Sequence, residues 1–200
     1  MLITIIPIIL ILGPVMAYQF VQRLCGRRTT AFHYIWTYIM MLYIRIVFYL
    51  TGTGTVWSIV EKGGLAPALE EARINLIPFH SEGLFTYCTN VILFMPLGFL
   101  LPYLWKNYRN IGKTALTGLF FSALIEIAQL PTSRVADVDD LMMNTLGAAL
   151  GYVAWRLIGG HFFNRKEEQR VISLGNSEPV IYIALAWSFM FLFYNWKWFI

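Results

Sequence analysis

Charge is scarce in this chain. Only 13% of its 200 residues are Asp, Glu, Lys or Arg, while 58% are hydrophobic. A soluble domain of this size carries about a quarter charged residues. The deficit excludes an ordinary water-soluble fold and indicates an integral membrane protein forming one domain over residues 1–200. The net charge of +4 does not indicate a nucleic-acid partner, because the basic residues sit in short runs between apolar segments, where they set membrane orientation. Cysteine is equally sparse: Cys25 and Cys88 fall at opposite ends of their segments, a separation no disulfide spans. The first apolar run lacks a basic stretch ahead of it and carries its arginines behind, the reverse of a cleavable signal peptide, so it reads as a retained helix. Also missing are an internal repeat, a low-complexity tract, a Ser-His-Asp order, a Cys-His pair at a common depth, an HExxH and a P-loop.

Long apolar runs are plentiful. Crossing the hydrocarbon core takes about 20 apolar residues, and six segments qualify: 2–22, 31–51, 84–104, 111–130, 141–160 and 180–200. The expected fold is all-α, a polytopic bundle of about six transmembrane helices. The third segment follows a Ser81-Glu82-Gly83 turn and contains Pro96, which membrane helices tolerate. Only Pro131 to Asp140 separate the fourth and fifth, which predicts a tight antiparallel pair. The loop 52–83 is the only sizeable one on its side, and within it Leu65 to Ile74 reads as a short amphipathic helix with Glu70 and Glu71 on the wet face.

The first, third and fifth connections hold Arg23, Arg27 and Arg28, then Lys106, Arg109 and Lys113, then Arg156, Arg165, Lys166 and Arg170. The second and fourth are acidic. Lys and Arg concentrate on the cytoplasmic side, so both termini are expected outside. The aromatic end Tyr194-Asn195-Trp196-Lys197-Trp198 suits an interfacial anchor.

At about 1.5 Å per residue, this threading brings Arg45, Asn90, Glu126 with Gln129, and Asn144 into the outer third of four different helices, beside Asp137, Asp139 and Asp140. The inner two thirds are expected to be largely apolar. Polar side chains in a membrane are costly and therefore gather. Asp137, Asp140, Asn144, Gly147 and Gly151 share one face if helix begins by Asp137, with the glycines admitting a close neighbouring helix. An aspartate near that helix start, Asp139 or Asp140, can act as its cap. Arg45 needs a partner, and Glu126 or an aspartate is the expected one. Arg134 can snorkel or bind an anion such as phosphate. Asn75-Leu76-Ile77-Pro78-Phe79 is expected to fold over the site, and the lone His80 beside it reads as a bystander. Glu126, Asp137, Asp139 and Asp140 together offer hard oxygen ligands for a divalent cation, Mg²⁺ or Ca²⁺, with Glu126, Asp137 and Asp140 the candidates for any catalytic role.

These motifs in order are Asn75-Leu-Ile-Pro-Phe79, Asn90-x-x-x-Phe94-x-Pro96-Leu-Gly98-Phe, Glu126-x-x-Gln129, and Arg134-x-x-Asp137-x-Asp139-Asp140-x-x-x-Asn144-x-x-Gly147. The series resembles the VanZ-like membrane proteins over about residues 75–153, with a family core of about 31–160 and an extra C-terminal helix. The resemblance implies a bacterial cytoplasmic-membrane protein of the teicoplanin-resistance type, the antibiotic being a lipidated glycopeptide. Three readings follow. In the first, an outward-facing intramembrane pocket lined by Arg45, Asn75, Asn90, Glu126, Gln129, Arg134, Asp137, Asp139, Asp140 and Asn144 binds a lipid-linked polar ligand, either the antibiotic's headgroup or an anionic envelope lipid. In the second, a divalent-cation-dependent enzyme acts on envelope lipid phosphates. In the third, the polar residues only hold the helices together in a partner or scaffold protein.

Overall fold

A computed structural model describes residues 2–79, 83–162 and 175–195. Its helices are α1 (Leu2–Leu24), α2 (Ala31–Thr51), the short α3 (Val56–Glu61) and α4 (Leu65–Glu70), α5 (Leu84–Leu104), α6 (Ile111–Gln129), α7 (Val138–Phe162) and α8 (Glu178–Phe193). The chain is an all-α bundle. Among the described residues, four helical spans, Ile5–Leu24, Ala31–Glu61, Leu84–Leu104 and Ile111–Gln129, are long and apolar enough to cross a membrane. α7 is longer but more polar, and α8 is apolar but shorter. Large apolar side chains stand exposed along the outer faces, Ile9, Leu116 and Leu157 among them, as a lipid-facing surface requires.

Local chemistry fixes the ends of these helices. Thr30 caps α2 by accepting from the His33 N–H, and Asn110 caps α6 by accepting from the Lys113 N–H. Gly52 ends α2 in the left-handed conformation, which glycine adopts without strain. Pro96 takes an N–H out of the middle of α5, and in that turn the Tyr43 hydroxyl of α2 donates to the Leu93 carbonyl at 2.6 Å.

The tightest pair is α5 with α7. A Cβ on Gly151 would stand 2.0 Å from the Met95 carbonyl oxygen, one on Gly147 2.3 Å from that of Val91, and one on Gly98 1.9 Å from that of Ala148. Only glycine permits this backbone-to-backbone approach, and the expected role of Gly147 and Gly151 is borne out. α6 lies against α7, and α1 against α8 and α2. Trp187 of α8 donates to the Leu124 carbonyl of α6 at 2.7 Å, tying the two halves. Cys25 and Cys88 are free thiols.

Between α4 and α5 the backbone extends. Arg73–Asn75 (β1) pairs in parallel with Val135–Asp137 (β2), in the register Arg73 to Val135, Ile74 to Ala136 and Asn75 to Asp137. This corrects the expected helix over Leu65 to Ile74, which stops at Glu70. His80, Ser81 and Glu82 lie outside the described residues, as do Arg165, Lys166, Arg170 and the aromatic residues Trp196 and Trp198.

Candidate functional site

The strand register sets the site. It delivers Asn75 beside Asp137, and the Asn75 amide donates to both carboxylate oxygens at 3.1 Å. Asp137 immediately precedes α7, and its carboxylate accepts from the Asp139 N–H at 2.9 Å, as an N-cap does. The Asp137 N–H in turn donates to Glu126 of α6 at 2.9 Å. Asp139 accepts from the Phe79 N–H at 2.7 Å and the Tyr87 hydroxyl at 2.8 Å. Asp140 accepts from the Asn90 amide of α5. The Asn75–Phe79 segment is thus pinned over the start of α7, as its position in the sequence suggests.

Four separate sequence motifs therefore meet at one end of the bundle, where α2 and α6 finish and α5 and α7 begin. Gln129 extends the network to α2, donating to the Thr51 carbonyl at 2.7 Å. The Arg134 side chain lies against Gly52, where an added Cβ would stand 2.7 Å from the guanidinium carbon. Pro7 of α1, Arg45 and Tyr49 of α2, and Met190 of α8 line a common cavity, so the first turns of α1 and the last turn of α8 lie at this same end of the bundle.

Several expectations need correction. The cap of α7 is Asp137, not Asp139 or Asp140, because the helix begins one residue after Asp137. Asn144 does not join the aspartates; it reaches across to Ser122 of α6 at 2.9 Å. Arg45 makes no ion pair among the described residues and lines the cavity with α1 and α8 instead. Residue count fixed its depth, but not the side of α2 from which it projects. Glu126, Asp137, Asp139 and Asp140 are not gathered as a metal-binding set among the described residues. Successive positions at a helix start point in different directions, so each carboxylate meets its own protein donor.

Burial divides the cluster. Glu126, Gln129, Asp137, Asp139 and Asn144 are buried, whereas Asn75, Asn90 and Asp140 are half-buried and Arg134 is exposed. The buried members hold the frame. The others, with the exposed Leu76, Ile77, Phe79, Leu84 and Phe85 alongside, form a polar surface with an apolar lip.

A VanZ/LLP1 family model matches residues 35–159, which takes in nearly all of α2 and most of α7. The chain belongs to the VanZ/LLP1 family. Protein VanZ of Enterococcus faecium is 34% identical over 107 residues, covering 52% of this chain and 66% of that relative. The match leaves about a third of the relative's length without a counterpart. No solved structure matches this chain. The family match excludes all of α1 and α8, while the four quoted motifs fall on α5, α6, α7 and the segments that lead into α5 and α7.

A second buried polar cluster was not anticipated; it corrects the expectation that the opposite end is largely apolar. His33 of α2 meets Glu178 at 3.0 Å with both side chains fully buried. Trp105 donates to the same carboxylate at 2.9 Å, and Tyr182 also donates to it. Gln19 of α1 donates to the Tyr182 hydroxyl at 3.0 Å and accepts from Tyr38 at 2.7 Å. The sequence signal was a lone acid just before the sixth apolar run, which alone reads as a helix cap.

Proposed function

We propose that this protein lowers susceptibility to teicoplanin-type lipoglycopeptides by binding a lipid-linked polar ligand at the acidic end of its bundle. In this reading that end faces outward from the bacterial cytoplasmic membrane, and both termini lie outside. The ligand is the antibiotic's headgroup or an envelope lipid. One observation carries the proposal: the four motifs of the family resemblance converge on one hydrogen-bonded cluster bordered by exposed apolar side chains. Polar groups at headgroup depth beside an apolar lip suit an amphiphile, whose chain stays in lipid while its head meets the protein.

The roles within the site follow from burial. Glu126, Asp137 and Asp139 spend oxygens on backbone N–H groups and position the segment from Asn75 to Phe79. Asp140, Asn90, Asn75 and Arg134 remain as the groups that meet a ligand. The purely structural reading has support for the buried three and none for Arg134, which is exposed. The test is teicoplanin tolerance in a host expressing Asp140→Asn, Asn90→Ala or Arg134→Gln at levels equal to the parent. Loss of tolerance with unchanged abundance and melting temperature supports binding. Full tolerance in all three variants removes the acidic end from the explanation.

A further inference from the structure

A cavity of about 290 Å³ opens between α1, α2 and α8, apart from the acidic cluster. Its polar lining is Arg45, Tyr49, Thr53, Thr55 and Tyr194, and none of its lining residues is acidic. Pro7, Phe48 and Met190 supply apolar wall. The Arg45 Nε is buried and has no hydrogen-bond partner, and no carboxylate lies within ion-pair distance of this guanidinium among the described residues. A cation in a membrane-spanning helix is stabilised by a counter-anion or by water, and here no carboxylate among the described residues serves as the counter-anion.

We infer that this cavity is a second site, one that binds the phosphodiester headgroup of an anionic glycerophospholipid, with Arg45 as the charged anchor. A guanidinium fork matches two phosphate oxygens at once, and the Thr and Tyr hydroxyls around it are donors for the remaining oxygens and the glycerol. Arg45 stands six residues before the end of α2, about 9 Å along the helix axis at 1.5 Å per residue, the depth of a headgroup drawn slightly inward. The apolar wall favours a lipid over free phosphate, which would leave Pro7, Phe48 and Met190 facing water. This site is independent of the resistance reading, since its lining shares no residue with the acidic cluster.

Native mass spectrometry of the full chain in neutral detergent tests the inference, titrating phosphatidylglycerol, phosphatidylcholine and inorganic phosphate separately. The parent protein is expected to retain phosphatidylglycerol at least tenfold more tightly than phosphatidylcholine, and Arg45→Gln to lose that preference. Arg156→Gln, an exposed arginine on α7, is expected to keep it. Tyr194→Phe and Thr55→Val retain the charge and are expected to weaken phosphatidylglycerol binding a few-fold, which keeps the test valid should Arg45→Gln fail to fold. Equal affinity for the two lipids overturns the inference, as does unchanged phosphatidylglycerol binding in Arg45→Gln or, if that variant does not fold, in both hydroxyl variants. Inorganic phosphate that binds as tightly as phosphatidylglycerol overturns the lipid assignment.

Discussion

Replacing Gly151 by alanine adds one methyl group where the structure has no room for it. The new Cβ would stand 2.0 Å from the Met95 carbonyl oxygen, about 1.4 Å short of the 3.4 Å at which ordinary contact begins. The neighbour is backbone, so no side-chain rotation relieves the clash, and α5 and α7 must separate or slide. Overpacking of this kind costs about 1–3 kcal/mol. At about 2–4 °C per kcal/mol for a chain of this length, the melting temperature in detergent is expected to fall by several degrees. Gly13→Ala serves as the control, because nothing lies within 4 Å of its added Cβ. It is expected to leave the melting temperature unchanged or raise it slightly, through the better helix propensity of alanine. Asn90 and Asp140 bridge α5 and α7 a few turns above Gly151, so under the proposed function teicoplanin tolerance is expected to fall with stability. If Gly151→Ala melts no lower than Gly13→Ala, the close packing of α5 on α7 is refuted, and with it the argument that glycines set the geometry of the site.

Further predictions concern the two polar clusters. Glu178→Leu leaves the buried His33, Trp105 and Tyr182 without their shared acceptor, and is expected to cost about 3–5 kcal/mol, as breaking a buried pair does; thermal melts read this. His33→Leu combined with Glu178→Leu is expected to recover part of that loss, and strict additivity in the melts would contradict direct coupling. Asp139→Ala removes the carboxylate that accepts from the Phe79 N–H and the Tyr87 hydroxyl, a loss of about 1–3 kcal/mol where such groups are buried. Faster hydrogen exchange at Phe79 is the expected local readout, and unchanged exchange would show that the segment is held by something else. Gly52→Ala combines a left-handed backbone with a clash against the Arg134 guanidinium and is expected to destabilise by about 1–2 kcal/mol, measured by chemical denaturation in micelles.

Much of the bundle was legible from apolar run length and from end signals. Segments 31–51 and 84–104 coincide with α2 and α5, and 111–130 overshoots α6 by one residue. In each case a cap or turn residue abuts a predominantly apolar run. The gathering of Asn90, Glu126, Asp137, Asp139 and Asp140 at one end was legible too, because residue count along a helix converts directly into depth. Angle around the helix was not. Arg45 has the expected depth and faces another cavity, and Asn144 turns to α6, because azimuth depends on which neighbours pack where. The strands β1 and β2 are three residues each, too short for an alternating pattern to register. The partnership of His33 with Glu178 joins residues 145 positions apart, and no spacing rule connects two solitary titratable groups across most of the chain.

The account rests on the acidic turn, the start of α5 and the end of α6 forming one outward-facing cluster. Its most direct test is cross-linking in intact cells of Asn90→Cys with Asp140→Cys, in a background where Cys25 and Cys88 are replaced by serine. The account predicts rapid disulfide formation with a membrane-impermeant oxidant, and none in a control pairing Asn90→Cys with Arg156→Cys. Failure of the Asn90–Asp140 pair to cross-link, or cross-linking only after the cells are permeabilised, would contradict it.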